Sequence, residues 1–171
     1  KMCRLPTYPD SLNTQHIAAD ITLSPTAKAR IEVNEVSRIF QYENEAGIVY
    51  LEPNKQKDRI RSGIHLSQAD IRNLQISECK ETNPSITFRY TATSNQYGHK
   101  TGNRLFIPAN VFRKEFSVPP LTKRTYPIHI DYGYTDTDSI RIQLPEGYVI
   151  EGLPKPLDVK SKFGSFHSDI Q

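Results

Sequence analysis

Residues 86–93, ITFRYTAT, decide the fold class of this chain, because apolar and polar side chains alternate there without a break. Successive side chains of a β-strand point to opposite faces of the sheet. The pattern therefore predicts a strand with one buried and one solvated face, as is common in antiparallel sheets. The apolar positions of this strand are Ile86, Phe88, Tyr90 and Ala92.

The same two-residue period recurs on both sides of that strand and predicts a chain of short strands. In the strand at residues 29–42 the apolar parity slips after Val33, which predicts a bulge near Asn34. Residues 133–138 are a polar stretch of hairpin length between two strands. The other predicted strands cover residues 17–23, 74–77, 105–107, 126–132, 140–144, 148–150, 157–159 and 166–170.

One segment, residues 53–66, has the pattern of a helix. Pro53 opens it, Gly63 can close it, and Ile60 and Ile64 form a narrow apolar stripe one turn apart. We therefore predict a mainly β fold, an antiparallel β-sandwich of the jelly-roll kind with one short inserted helix. Its predicted inward-pointing residues are Ile86, Phe88, Tyr90, Ile128, Ile130, Ile140, Ile142 and Leu144.

Breaker residues suggest the domain organisation. Residues 1–16 begin with Pro6, Pro9 and the Asp10–Ser11 pair, which predicts a linker from a preceding domain. Residues 17–171 are then one β-sandwich domain, with a subdivision near residues 84–103 as an alternative. The first residue is Lys1 and the last predicted strand has no evident partner, so we expect a longer parent protein.

Composition argues against several function classes. The net charge is +3, and the densest basic run, residues 55–61, lies on the predicted helix, where a solvated face is the favoured interpretation over a phosphate-binding patch. No apolar stretch approaches the length of a membrane span and no signal peptide is evident. We expect neither nucleic acid nor a membrane span.

Cysteine and histidine patterns offer no catalytic or metal centre. Cys3 and Cys79 are the only cysteines, and their spacing allows a disulfide without implying one; two separate thiols are the favoured alternative. Cys79 stands between Glu78 and Lys80 on a predicted strand, where no neighbouring group would selectively stabilise the thiolate form. The five histidines lack zinc-protease spacing. The prediction is no catalytic residue, no cofactor and no metal.

Four residues near the predicted hairpin are candidate ligand contacts: Tyr132, Tyr134, Asp136 and Asp138. The tyrosines could form a platform for a sugar ring, or pack in the core. In a strand the two aspartates share a face and could converge on calcium. The favoured alternative is a metal-free hairpin in which the aspartate and threonine side chains accept hydrogen bonds from the backbone N–H groups of the turn.

Four motifs occur in order in the second half of the chain. They are GNRLFIP at residues 102–108, DSIRIQLPEGY at residues 138–148, LPKP at residues 153–156 and FGSF at residues 163–166. With these motifs the chain resembles the C-terminal domain of unknown function that follows the transglutaminase-like core in a family of bacterial proteins, common in Bacteroides-like organisms.

The resemblance implies an architecture and a location. It implies a parent with an N-terminal β domain, a papain-like or transglutaminase-like cysteine hydrolase or protease domain, and this β-sandwich, exported to the periplasm or cell envelope. The catalytic residues of such a parent would precede Lys1. The expected function is a non-catalytic accessory domain whose partner is the catalytic domain of the same chain. The alternative is a module that binds a carbohydrate or peptide ligand.

Overall fold

The computed structural model describes residues 8–112, 125, 127 and 129–171. Of these residues 43% are in strands and 14% in helices, which confirms the predicted mainly β fold. The strands are β1 Thr14–Leu23, β2 Ala29–Arg38, β3 Asp70–Cys79, β4 Ser85–Ser94, β5 His99–Thr101, β6 Arg104–Phe106, β7 Thr135–Gln143, β8 Leu157–Ser161 and β9 Gly164–Ser168. The helices are α1 Phe40–Glu45, a 3-10 helix Ala46–Tyr50 and α2 Pro53–Ser62.

A five-stranded sheet in the order β3-β4-β2-β1-β7 dominates the fold. Its first four strands are antiparallel, as predicted, but β7 pairs with β1 in parallel. The predicted hairpin at residues 133–138 is therefore wrong. Residues 129–134 form no strand, and β7 begins at Thr135 beside Thr14. The parallel register places Ile140 and Ile142 beside Ala19 and Ile21, where they extend the apolar face.

One face of this sheet carries the core, and we call it the inner face. Ile21, Ile31, Ile86 and Phe88 are almost completely buried on it. The second layer comes from the helices and the chain after β4, because these residues belong to the same buried cluster: Ile48, Ile60, Ile64, Tyr97, Val111 and Phe112.

Most of the predicted core is confirmed. Tyr90 is buried with Ile86 and Phe88, and Ile140, Ile142 and Leu144 are partly buried against the same cluster. The prediction for Ile130 is wrong, because its side chain is 48% exposed in the irregular segment before β7. Ile128 lies outside the described residues.

The predicted bulge near Asn34 is also wrong. β2 pairs with β1 and with β4 without a register shift. Its inner face carries the polar residues Glu35 and Ser37, and these give the sequence the same pattern as a bulge would. The register shift occurs instead in β3, between Arg72 and Gln75, where Asn73 has a φ of 53°.

The predicted helix exists as α2, which begins at Pro53 and is capped by Gly63. The predicted strand 29–42 ends earlier, at Arg38, because Ile39 adopts a φ of 57° and turns the chain into α1. Positive φ is rare for a β-branched residue, and a hydrogen bond from the Ile39 N–H to the Pro84 carbonyl supports this corner. No helix among the described residues could cross a membrane.

The end of the chain forms a separate ribbon. β8 and β9 confirm the predicted strands near residues 157–159 and 166–170, whereas residues 148–150 form no strand. Within the described part of the chain, β8 and β9 pair only with each other. Their register places Leu157, Val159 and Phe166 on one face, all of them about half exposed.

Candidate functional site

The predicted ligand residues lie on β7 and in the segment just before it. The register with β1 sets Asp136 beside Gln15 and Asp138 beside Ile17. Since Gln15 and Ile17 are buried on the inner face, both aspartates project from that face at its polar end. They do share a face, as a strand requires.

Each aspartate accepts a hydrogen bond from a side-chain amide. The Gln41 Nε2 donates to Asp136 Oδ1 at 2.7 Å, and the Asn110 Nδ2 donates to Asp138 Oδ2 at 2.6 Å. The prediction that backbone N–H groups of a turn bind these aspartates is wrong, because residues 135–138 belong to a strand and not to a hairpin turn. Within residues 8–112 and 129–171, no cluster of three or more potential ligands is arranged to hold a metal ion.

We expect calcium to leave the stability of this protein unchanged. Calcium takes six to eight oxygen ligands, and amide donors already occupy an oxygen of Asp136 and of Asp138. Thermal melting with EDTA, and then with millimolar calcium, should give the same midpoint. A calcium-induced rise of several degrees that disappears in the Asp136→Asn, Asp138→Asn double variant would show that a site exists.

Tyr132 and Tyr134 are at the surface rather than in the core, with 38% and 48% of their area exposed. Tyr132 stacks on Phe40 at a centroid distance of 4.7 Å and an interplanar angle of 24°. Tyr8 meets Phe40 edge-on at 6.0 Å. The Tyr132 ring is thus held in one orientation by the first residue of α1.

Asn13 fixes the segment that carries these tyrosines. Its side chain is completely buried, and its Nδ2 donates to the Gly133 carbonyl at 2.8 Å. Its Oδ1 accepts from the Gln41 N–H at 3.0 Å, and its backbone carbonyl accepts from the Thr135 N–H. Asn13 was not identified from the sequence. The available signal was its spacing, because Asn13 is an even number of residues before Ile17 and so falls on the same face of an extended chain.

The polar end of the inner face continues into β2. The Gln15 Nε2 donates to Glu35 Oε1 at 2.8 Å and lies 3.3 Å from Ser37 Oγ. Burial raises the pKa of the nearby Tyr90 hydroxyl strongly, and the negative charge of Glu35 adds to that rise. Tyr90 therefore stays neutral, which suits a packing role rather than a proton-transfer role.

A second polar cluster lies at the end of β3. The Tyr42 hydroxyl donates to Glu78 Oε1 at 2.6 Å, and the Lys80 Nζ lies 3.1 Å from Glu78 Oε2 and 3.3 Å from the Tyr50 hydroxyl. The hydrogen bond from Tyr42 is the largest cause that lowers the pKa of Glu78, and Lys80 lowers it further against the opposing effect of burial. The cluster ties α1 to the edge of the sheet.

We expect the Glu78 cluster to make folding sensitive to acid. A carboxyl whose pKa is lower in the folded state stabilises that state above its unfolded pKa, and the stabilisation disappears as the pH falls through the folded pKa. Glu78→Gln should therefore reduce stability at pH 7 and flatten its decline below about pH 4.5. Urea titrations at a series of pH values measure this, with Glu32→Gln on the opposite face as the control. Parallel pH profiles for Glu78→Gln and the unmodified protein would contradict the assignment.

Cys79, His129 and His167 lie at the surface of the described part of the chain. Cys79 is a free, exposed thiol on β3, an edge strand of the five-stranded sheet. His129 lies 3.2 Å from Asp131 and His167 lies 2.8 Å from Asp158, both at the surface. Cys3 lies outside the described residues, so its pairing stays a prediction.

Comparison with known families gives a match over the last part of the chain. Residues 103–171 match a domain of unknown function with solved structure, DUF3858. The matched segment contains β7, whose partner β1 lies outside the match, so its main strand completes a sheet built from earlier residues. No curated protein and no solved structure matches the chain.

Proposed function

We propose that this chain is a non-catalytic accessory domain that docks on a neighbouring domain of a longer protein. The observation that carries the proposal is the β8–β9 ribbon. Isolated two-stranded hairpins are at best marginally stable in water, yet this ribbon pairs with no other strand of the described residues and exposes Leu157, Val159 and Phe166. A partner surface that covers this apolar face would stabilise the ribbon.

The size of the apolar face favours a partner in the same polypeptide. A stable complex between separate proteins buries roughly 800 Å² on each side, and three half-exposed side chains supply far less than that. A contact within one chain needs less area, because the linker holds the partner at an effective concentration in the millimolar range. From the resemblance described above, we propose that the partner is a transglutaminase-like cysteine hydrolase or protease domain of an exported, envelope-located protein.

The proposal includes the absence of an activity in the chain itself. We propose that it hydrolyses no peptide, amide or glycosidic bond, because its exposed Cys79 is a lone thiol among the described residues. Turnover by the purified chain that disappears in Cys79→Ala would contradict this.

The test of docking is hydrogen exchange on β8 and β9. The open reading frame around this chain identifies the neighbouring domain, which is expressed separately and added to the chain. We expect protection of the ribbon amides on addition, and at least tenfold weaker binding in a Val159→Thr, Phe166→Ser double variant.

Lys160→Ala, on the opposite face of the ribbon, is the matched control and should bind normally. Because the replaced apolar side chains are exposed, the double variant should melt within a few degrees of the unmodified chain. Unchanged binding of the double variant would remove the ribbon from the interface, and a reading frame without any neighbouring domain would refute the proposal.

A ligand-binding module is the second candidate function. The specific observation in its favour is the surface exposure of Tyr132 and Tyr134, which core packing would have removed.

A further inference from the structure

We infer that a groove on the outer face of the five-stranded sheet binds a small organic anion through Lys28 and Arg30. The outer face is the side opposite the inner face, and the groove crosses β4, β2 and β1 where β1 ends and β2 begins. It is open to solvent and has a volume of about 340 Å³. The inference goes beyond the docking proposal and does not depend on the β8–β9 ribbon. The groove is lined by Thr22, Leu23, Ser24, Lys28, Ala29, Arg30, Thr93, Ser94 and Asn95.

The strand register explains the shape of the groove. Leu23, Ala29 and Ser94 are neighbours across the three strands, and because their side chains are buried on the inner face, their backbone forms the floor. Rows of side chains that point outward stand on both sides of this floor, roughly 7 Å apart along the strands, and the three strands span roughly 10 Å. One wall consists of Thr22, Arg30 and Thr93, and the other of Ser24, Lys28 and Asn95.

The groove carries a positive charge. Its lining includes Lys28 and Arg30 but no Asp or Glu. The Arg30 Nε and Nη2 donate to Glu32 Oε1 at 3.2 and 3.1 Å, which holds the guanidinium in place and offsets its charge. Lys28 is exposed and has no carboxylate partner among the described residues, so it supplies the net charge. The Lys100 Nζ donates to the Pro25 carbonyl at 3.0 Å and adds a further cation at the same turn.

The turn that carries Lys28 is ordered before any ligand arrives. The Ser24 Oγ accepts from the Lys28 N–H at 3.1 Å and from the Thr26 N–H at 3.3 Å. The Ser24 N–H donates to the Lys28 carbonyl at 2.9 Å, and the Tyr97 N–H donates to the Ala27 carbonyl at 2.8 Å. A backbone that is already fixed loses little conformational entropy on binding, which favours the affinity of a small ligand.

The chemistry of the walls favours an anionic ligand. An oxyanion between Lys28 and Arg30 would accept charge-assisted hydrogen bonds, which are the stronger kind. Thr22 and Thr93 flank Arg30 in the register, and their hydroxyls can donate as well. The backbone groups of the floor are engaged in the sheet, so the floor suits a neutral body rather than a second charge.

The head group can be a carboxylate or a phosphate, because a lysine ammonium acts as a point charge and does not select between them. We expect a dissociation constant in the millimolar range, since the cations are exposed and their attraction is screened by water and salt.

The experiment is a titration of the ¹⁵N-labelled chain with hexanoate, hexyl phosphate and neutral hexanamide, followed through amide NMR shifts at constant ionic strength. The three probes have the same body and differ only in the head group. We expect saturable shifts confined to residues 22–30 and 93–95 with at least one of the two anions. Hexanamide should bind at least tenfold more weakly than that anion, and the tighter of the two anions identifies the head group.

Four variants test the assignment of the cations. Lys28→Gln and Arg30→Gln should each weaken binding at least fivefold, whereas Lys28→Arg keeps the charge and should retain most of the affinity. Lys55→Gln removes an exposed lysine on α2 and should bind normally. All of the replaced side chains are exposed, so the variants should fold, and their NMR spectra verify this.

Three results would overturn the inference: no saturable shift with either anion, hexanamide that binds as tightly as the anions, or an affinity that survives both glutamine variants. Shifts that are equally large at Lys55 and Lys57 of α2 would also overturn it, because they would indicate a general attraction of anions to basic surface. Variants of the β8–β9 ribbon should leave this binding unchanged, so the groove and the docking role are tested separately.

Discussion

Phe88→Ala is expected to lower the free energy of unfolding by about 3–5 kcal/mol. Phe88 is 1% exposed in the middle of the inner face, between Glu35 of β2 and Ile76 of β3 in the register. Truncation of its ring removes a large apolar surface and leaves a cavity that neighbouring strands cannot close. Chemical denaturation followed by circular dichroism measures the loss.

Phe106→Ala is the matched control for this experiment, because the same side chain type is 58% exposed on β6. Its loss should stay below about 1 kcal/mol, in line with surface substitutions generally. A loss below 1 kcal/mol for Phe88→Ala itself would mean that β4 is not a central strand or that its register is wrong.

Asn13→Ala should cost about 2–4 kcal/mol, although it removes only a small polar side chain. The substitution leaves the Gly133 carbonyl and the Gln41 N–H without the partner that the buried amide provides. Each buried polar group left without a hydrogen bond costs about 1–3 kcal/mol. The effect should include faster hydrogen exchange at Thr135, whose N–H is bonded to the Asn13 carbonyl.

Asn34→Ala provides the comparison, because the Asn34 Oδ1 also accepts a hydrogen bond, from the Arg89 Nε, but this bond is exposed. It should cost less than about 0.5 kcal/mol. Equal losses for the two asparagine variants would show that the buried amide does not organise the segment before β7.

Elements whose pattern is local could be predicted from the sequence. β4 followed from strict alternation, α2 from Pro53 and Gly63, and the two terminal strands from two short apolar runs. The expectation that the last strand has no partner was wrong, because β9 pairs with β8. α1 was missed, because its start depends on the unusual backbone of Ile39 and not on an apolar period.

The partner of a strand is not encoded in its own period. Residues 140–142 alternate whether β7 joins a hairpin neighbour or, as found, β1 from the opposite end of the chain. Polar residues on the inner face also lead to errors, because the sequence analysis assumed that inward-pointing side chains are apolar. Glu35, Ser37 and Asp136 can face inward because side chains from distant parts of the sequence form hydrogen bonds with them. A pattern of neighbouring residues cannot predict these partners.

The candidate site was half predictable. Residue chemistry pointed to Tyr132, Tyr134, Asp136 and Asp138, whereas the residues that position them are Asn13, Phe40, Gln41 and Asn110. These supports come from three separate parts of the chain, and only the folded arrangement identifies them.

The edges of the five-stranded sheet differ from its centre. β3 has a register shift at Asn73, and β7 turns the charged Asp136 and Asp138 toward the inner face. Bulges and inward-pointing charges are the usual means by which edge strands avoid pairing with another molecule. The sheet is therefore a poor template for edge-to-edge association, and contacts through its faces or the terminal ribbon are more favourable.

The parallel pairing of β7 with β1 determines when the fold can be completed on the ribosome. Asn13 and its partner Gly133 are 120 positions apart in the chain. At a synthesis rate of roughly 5–20 residues per second, β1 waits roughly 6–24 s after its own emergence before this segment appears. During that interval β2, β3 and β4 can assemble beside β1, but its other edge has open backbone groups. A nascent chain stalled before Thr135 would expose that edge indefinitely, and this is the stage at which a chaperone would be needed most.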